Sequence, residues 1–263
     1  MKSLLLHGLL VATLTVGSVS AWGADEVVTA CFDEADRSGY GYLDVDGAWR
    51  GAAVDAVKAM AQQAGFRLVL QPLPWARCLR QAKAVGPDAV DFAFYASTNP
   101  QRLADYAFLG PIHQLTGGVW FVTARSELPH TLASYPVLGQ YRLCGVSGSN
   151  YAWLDGVGLG KGVDAGAHSL KAVVAKLMLG RCDYLLGTAE LRASAERHGI
   201  ARADMDALSF APYPDATAVG YYLLFNKHQA RHAAVLDAFT AAFAQLSRAG
   251  TVERIYREYG FKP

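Results

Sequence analysis

Charge is scarce in this chain and nearly cancels. Asp, Glu, Lys and Arg make up 18% of the residues, and 24 basic against 23 acidic side chains leave a formal net charge of +1. No block of basic residues breaks that balance, which excludes nucleic acid and anionic membrane surfaces as partners. The seven histidines are scattered and no Cys-x-x-Cys pair is present, so no metal site and no cofactor are expected. After the N-terminal segment, no apolar run reaches the roughly 18 residues that a membrane span needs. What is abundant is apolar surface. A hydrophobic content of 52% over 263 residues can fill one large core or two of ordinary size.

Residues 1–21 read as a secretory signal peptide: Lys2 is the charged start, residues 4–16 are the apolar run, and Val19-Ser20-Ala21 is the small-residue end. Cleavage after Ala21 and after Gly23 both satisfy the small-residue rule. Val28-Thr29-Ala30-Cys31 has the look of a lipoprotein box, but Asp25 and Glu26 separate it from the apolar run, so Cys31 is placed in a strand. The mature chain is expected to be soluble and exported to the periplasm, where disulfides are permitted. The four cysteines, Cys31, Cys78, Cys144 and Cys182, admit three connectivities. If the chain forms two lobes, two cysteines fall in each, and pairing within each lobe is the simplest arrangement. Buried free thiols are the alternative.

The chain alternates strands and helices. Residues 27–32 predict a strand, followed by a long polar loop carrying Tyr40 and Tyr42, which are placed to hold a ligand or to plug the loop onto the core. A helix over 52–64 ends at Gly65, a strand spans 66–73, and Trp75 opens a helix that carries Arg77, Cys78 and Arg80. Residues 89–96 predict a buried strand. Ser97 and Thr98 leave it, Pro100 suits the start of a helix, and Arg102 falls in the first turn. A cation there opposes the helix dipole, so Arg102 marks a site for a carboxylate or phosphate unless it is an ordinary surface arginine. This order predicts a doubly wound, mostly parallel sheet with ligands bound beyond the carboxyl ends of its strands.

Leu115-Thr116-Gly117-Gly118 reads as a flexible break before a second block. There a strand over 141–146 leads to Ser147-Gly148-Ser149, whose hydroxyls and N–H groups can face an anion. A helix capped by Ser169 follows, and a strand over 183–187 then delivers Thr188 and Glu190. A strand over 218–225, a long amphipathic helix over 232–249 and a short helix over 251–259 close the chain.

Several of these segments together resemble the periplasmic (extracellular) solute-binding proteins of ABC transporters, family 3, the branch that handles polar amino acids. The resemblance rests on Gly51-Ala52-Ala53-Val54-Asp55, on Ser97-Thr98-Asn99-Pro100-Gln101-Arg102 with Asp105, Phe108 and Pro111, on Ser147-Gly148-Ser149, on Leu179-Gly180-Arg181-Cys182-Asp183, and on residues 250–260. It implies an α/β, two-lobed periplasmic binding protein fold of type II, each lobe a doubly wound, mostly parallel sheet. The implied lobes are residues 25–115 with 221–263, and residues 118–218, joined by two hinge crossings near Leu115–Gly118 and Thr217–Tyr221. It also implies a monomer, not an enzyme, that captures a small polar carboxylate-bearing ligand for a permease. Arg102 would hold the carboxylate, helped by Ser97, Thr98, Ser147 and Ser149, and Tyr40, Tyr42 and Trp75 would stack on the ligand. Where amino-acid binders place an Asp for the ammonium group, this chain has Thr188, with Glu190 two residues further on. Asp33, Glu34 and Asp36 stand where the family's first-loop aromatic-proline signature would be. Two other roles are compatible with the same fold: an enzyme of dehydratase or lytic transglycosylase type using Glu190 as acid or base, and a sensor for a signalling receptor.

Overall fold

The computed structural model describes residues 26–34, 39–159, 162–214 and 218–261; the expected signal peptide, Asp36 and Thr217 lie outside these. In the first lobe, β-branched and aromatic residues form β1 (Val27–Asp33), β4 (Arg67–Leu73) and β5 (Phe92–Ala96), all parallel to one another. A small hairpin, β2 (Tyr42–Leu43) with β3 (Trp49–Arg50), sits in the long loop after β1. The β1–β4 register pairs Asp33 with Leu73, so the chain leaving β4 toward Trp75 emerges beside the chain leaving β1.

Helix α1 (Ala52–Gln63) turns Val54, Val57, Met60 and Ala61 inward at helical spacing. Helix α2 (Trp75–Lys83) buries Cys78 and Ala82 on one face and exposes Arg77, Arg80 and Lys83 on the other. Helix α3 (Pro100–Asp105) starts at Asn99, whose side-chain oxygen accepts the Arg102 N–H at 2.8 Å.

The next strand departs from expectation. Leu115-Thr116-Gly117-Gly118 is not a break but the interior of β6 (Tyr106–Val122), a single strand of 17 residues. The glycines are there for close approach. A side chain at Gly118 would overlap the Ala211 carbonyl and the Phe210 ring, and one at Gly117 would come within 2.9 Å of the Tyr213 ring.

The second lobe contains β7 (Leu143–Val146), β8 (Val163–Ala167) and β9 (Tyr184–Thr188), which are parallel, and β10 (Leu208–Pro212), antiparallel to the far half of β6. Helices α4 (Leu170–Met178), α5 (Leu191–Ser194) and α6 (Arg202–Asp206) cover this sheet. The chain returns along β11 (Ala218–Asn226), antiparallel to β5 and to the near half of β6, and finishes with α7 (Ala230–Arg248) and α8 (Thr251–Glu258). The strand order is β4-β1-β5-β11-β6-β9-β7-β8, with β10 on the far side of β6. β6 thus belongs to the sheets of both lobes.

Each lobe has its own core: Phe66, Phe92, Phe94, Phe225 and Phe239 in the first, and Val173, Val174, Leu177, Leu185 and Leu208 among others in the second. Each also has its own disulfide, Cys31–Cys78 tying β1 to α2 and Cys144–Cys182 linking β7 to the turn before β9. This is the within-lobe pairing expected from the sequence.

Candidate ligand-binding cleft

The carboxyl ends of the parallel strands converge on one cavity of about 700 Å³ between the lobes. Asp33 ends β1 and Glu34 follows it, Trp75 follows β4, Ser97 follows β5, Ser147 follows β7, His168 follows β8, and Thr188 ends β9. Tyr40, Arg102 and Ser149 also line it. Seven of the ten site residues expected from sequence therefore meet here: Tyr40, Trp75, Ser97, Arg102, Ser147, Ser149 and Thr188.

Among the described residues, Arg102 is the one arginine or lysine on the cavity wall. Its Nη1 donates to the Ser97 carbonyl at 2.7 Å and approaches Ser97 Oγ at 3.4 Å, and its guanidinium lies over the Trp75 ring, 5.4 Å from the centroid. No carboxylate pairs with it among the described residues. Burial lowers its pKa from the ordinary arginine value, the mark of a cation partly stripped of water.

Tyr40, Thr98, Tyr42 and Glu190 are placed differently from one another. Tyr40 is buried in a column of near-parallel rings, 4.2 Å from Phe261 and 4.3 Å from Tyr95, and Tyr95 in turn lies 4.2 Å from Tyr221. Burial first, and then the charge of Glu190, push the Tyr40 hydroxyl well above its usual pKa. Thr98 is exposed and does not line the cavity; its carbonyl accepts from Asn150 Nδ2 at 3.2 Å. Tyr42 faces the second lobe outside the cavity, with the Arg197 guanidinium 5.6 Å over its ring. Glu190, at the start of α5, turns toward β6, where Oε1 accepts the Thr116 N–H at 3.3 Å; it too is absent from the cavity wall.

Sequence reasoning passed over residues that the fold brings in. Asn150 crosses the cleft and donates to Ser97 Oγ at 2.9 Å. Tyr95 stands in the left-handed region, φ 63°, where a non-glycine residue is strained; its ring is thereby set between Tyr40 and Tyr221. Tyr221 reaches the cavity because β11 lies between β5 and β6. Tyr95 adjoins the Ser97–Arg102 stretch and could have been suspected from that position. Nothing near Tyr221 in sequence announces it.

The geometry has its counterpart in sequence: the family model of bacterial extracellular solute-binding proteins, family 3, matches residues 31–262. The chain belongs to that family. The fold agrees. A histidine kinase sensor domain with similarity to periplasmic binding proteins superposes with a TM-score of 0.73 at 18% identity, covering 90% of this chain and 96% of the other. An amino acid ABC transporter substrate-binding protein from Streptococcus pneumoniae, bound to L-arginine, gives 0.68 at 16% identity over 89% and 94%. A probable amino-acid ABC transporter extracellular-binding protein from Bacillus subtilis gives 0.67 at 14% identity over 89% and 98%. No curated protein matches the chain in sequence. Among the described residues there is no cluster of metal-ligating side chains and no helix long and apolar enough to cross a membrane.

Proposed function

We propose that this family 3 protein is an exported, monomeric periplasmic receptor that captures a small polar carboxylate-bearing ligand, an amino acid or a close relative, and presents it to an ABC-type permease. The observation that carries the reading is Arg102: a partly buried guanidinium on the cavity wall, steadied by Ser97 and Trp75, that makes no ion pair with a carboxylate among the described residues. A carboxylate supplies the missing counter-charge, and the planar fork of arginine suits it in a way lysine does not. Ser147, Ser149 and Thr188 offer hydroxyls from the opposite lobe. The lobes, residues 25–115 with 221–263 and residues 118–218, would close on the ligand about two crossings near residues 115–118 of β6 and 217–221 at the start of β11. The amino acid-binding proteins that share the fold support this choice of ligand.

A thermal-shift screen with L-amino acids and amine-free carboxylates identifies the ligand, since one present at 100 times its Kd adds about 2.7 kcal/mol to stability. Arg102→Lys should then cost about 2–5 kcal/mol of binding with the fold retained. Unchanged affinity would remove Arg102 as the anchor. If amine-free carboxylates bind as well as amino acids, the protein is an organic-acid receptor.

A sensory role is the second reading, supported by the histidine kinase sensor domain of the same fold. Catalysis is disfavoured. Glu190, the residue on which acid–base chemistry would turn, is held against the Thr116 N–H and not at the cavity wall.

A further inference from the structure

Large apolar side chains that remain exposed beside a cavity call for a reason. Among the described residues, the exposed large hydrophobic side chains are Leu43, Val45, Val85, Leu103, Trp153 and Leu179, and of these only Trp153, 37% exposed, lines the cleft. Its ring is not loose. Tyr213 meets it at 4.8 Å and 58°, and Tyr135 at 5.4 Å and 63°. Both contacts are inclined, so neither ring stacks in parallel on the indole. Leu154, next in the chain and fully buried, anchors the turn that carries it. The second lobe thus holds a rigid aromatic plane at the cavity wall.

The first lobe faces the same cavity with another. Tyr95 and Tyr221 both line it and lie parallel, 4.2 Å apart at 8°. The strained backbone at Tyr95 is what sets that pair.

We infer that the ligand carries a planar aromatic or heteroaromatic ring, clasped on closure between Trp153 of the second lobe and Tyr221 of the first, backed by Tyr95, while Arg102 holds its carboxylate. The inference rests on the carboxylate-receptor reading and narrows it to aromatic carboxylates, aromatic amino acids included. Trp153 is then a specificity-determining residue: it discriminates against ligands that lack a ring and adds nothing to the hold on the carboxylate.

Titration calorimetry with L-phenylalanine, L-tryptophan, L-tyrosine and phenylacetate, set against L-leucine, L-arginine and L-glutamate, tests it. At least one ring-bearing probe should bind ten-fold or more tighter than every ring-free one. Trp153→Leu should lower that affinity about ten-fold, which is the stacking contribution of about 1–1.5 kcal/mol for an aromatic pair. Trp153→Phe should restore most of it and, by keeping a ring against Tyr135 and Tyr213, should leave the unliganded melting temperature nearly unchanged. Ligand-induced change in tryptophan fluorescence should shrink in Trp153→Phe, a readout that a merely structural role would not move. A ring-free amino acid as the tightest probe, or an aromatic ligand indifferent to Trp153→Leu, overturns the inference and leaves the receptor reading standing. Binding of none of the probes overturns the inference together with the amino-acid reading.

Discussion

In the first lobe, the side chains that reach the cavity are locked by their neighbours: Tyr40 and Tyr95 in a ring column, Arg102 between the Ser97 carbonyl and Trp75. In the second, the corresponding wall combines exposed loop side chains, Ser149, His168 and Ser169, with the Trp153 ring held by Tyr135 and Tyr213. A preformed surface loses little freedom when a ligand arrives, whereas exposed loop side chains must be ordered at a cost of about 0.5–1.5 kcal/mol each. The first lobe is therefore suited to hold the ligand first and the second to close over it.

The disulfides offer the largest test of how alike the lobes are. Their sequence separations, 47 for Cys31–Cys78 and 38 for Cys144–Cys182, predict nearly equal loss of chain entropy in the unfolded state. The Cys31→Ser/Cys78→Ser and Cys144→Ser/Cys182→Ser variants should each lose about 4 kcal/mol in denaturant unfolding. A gap between them of more than about 1 kcal/mol would show that one lobe resists unfolding by other means.

Each lobe also holds one nearly buried aspartate. Asp91 accepts from the Thr29 N–H at 2.7 Å and from Arg231 Nε at 2.8 Å. Asp183 takes Arg142 Nη2 at 2.8 Å and Arg125 Nη1 at 2.7 Å. Replacing either with Asn should cost about 1.5–3 kcal/mol in equilibrium unfolding, the scale of charge-assisted hydrogen bonds. The hydrogen bonds of Arg142 above all, joined by those of Arg125, hold the Asp183 carboxyl well below the usual carboxylate range. Its stabilising effect is therefore complete above the unfolded value of about 3.9 and is lost as the pH falls further, and Asp183→Asn should flatten that acid limb.

A smaller, pH-dependent effect belongs to the first lobe. His113 stacks on Tyr256 at 4.1 Å, and burial pushes its pKa down to about 4. The folded state favours the neutral ring. Stability should thus be complete above the unfolded pKa of about 6.5, fall as the pH drops toward the folded value, and level out below it. His113→Phe should remove that part of the melting-temperature profile, leaving the portion due to His232, whose pKa burial also lowers. If the profile is unchanged, His113 is already solvated. The smallest effect is expected at Asn150, which donates to Ser97 and to the Thr98 carbonyl across the cleft. Asn150→Ala should alter affinity by no more than about 1 kcal/mol. It should also widen the unliganded protein in small-angle scattering; an identical radius of gyration would mean that the bridge does not hold the lobes together.

Local chemistry carried much of this into the sequence. Val54, Val57 and Met60 declare a helix face, Pro100 declares a helix start, and Arg102 conflicts with the dipole in a way that points to a ligand. What stayed hidden depends on partners distant in the chain. Gly117 and Gly118 read as a flexible break because the rings they make room for, Tyr213 and Phe210, lie far along the sequence. Tyr221 and Trp153 look like ordinary core or loop aromatics until β11 is inserted beside β5 and the turn after β7 is folded against Tyr213. Glu190 shows the reverse: a carboxylate at a suggestive position that the backbone of β6 claims.

The sharing of β6 by both sheets bears on which insertions and deletions the chain can survive. Beyond the glycines, Val119 and Phe121 point into one cluster of the second lobe, and Trp120 packs in the other with Val122 against it. Losing or gaining one residue anywhere upstream in β6 would exchange those faces, driving Trp120 toward the place of Val119 while β11 still grips the near half in its original register. No loop of the molecule could absorb that error, because the strand is continuous from Tyr106 to Val122. Changes in length are confined to the surface connections, and the chain from the Arg102 helix to Val122 at the end of β6 has a fixed length.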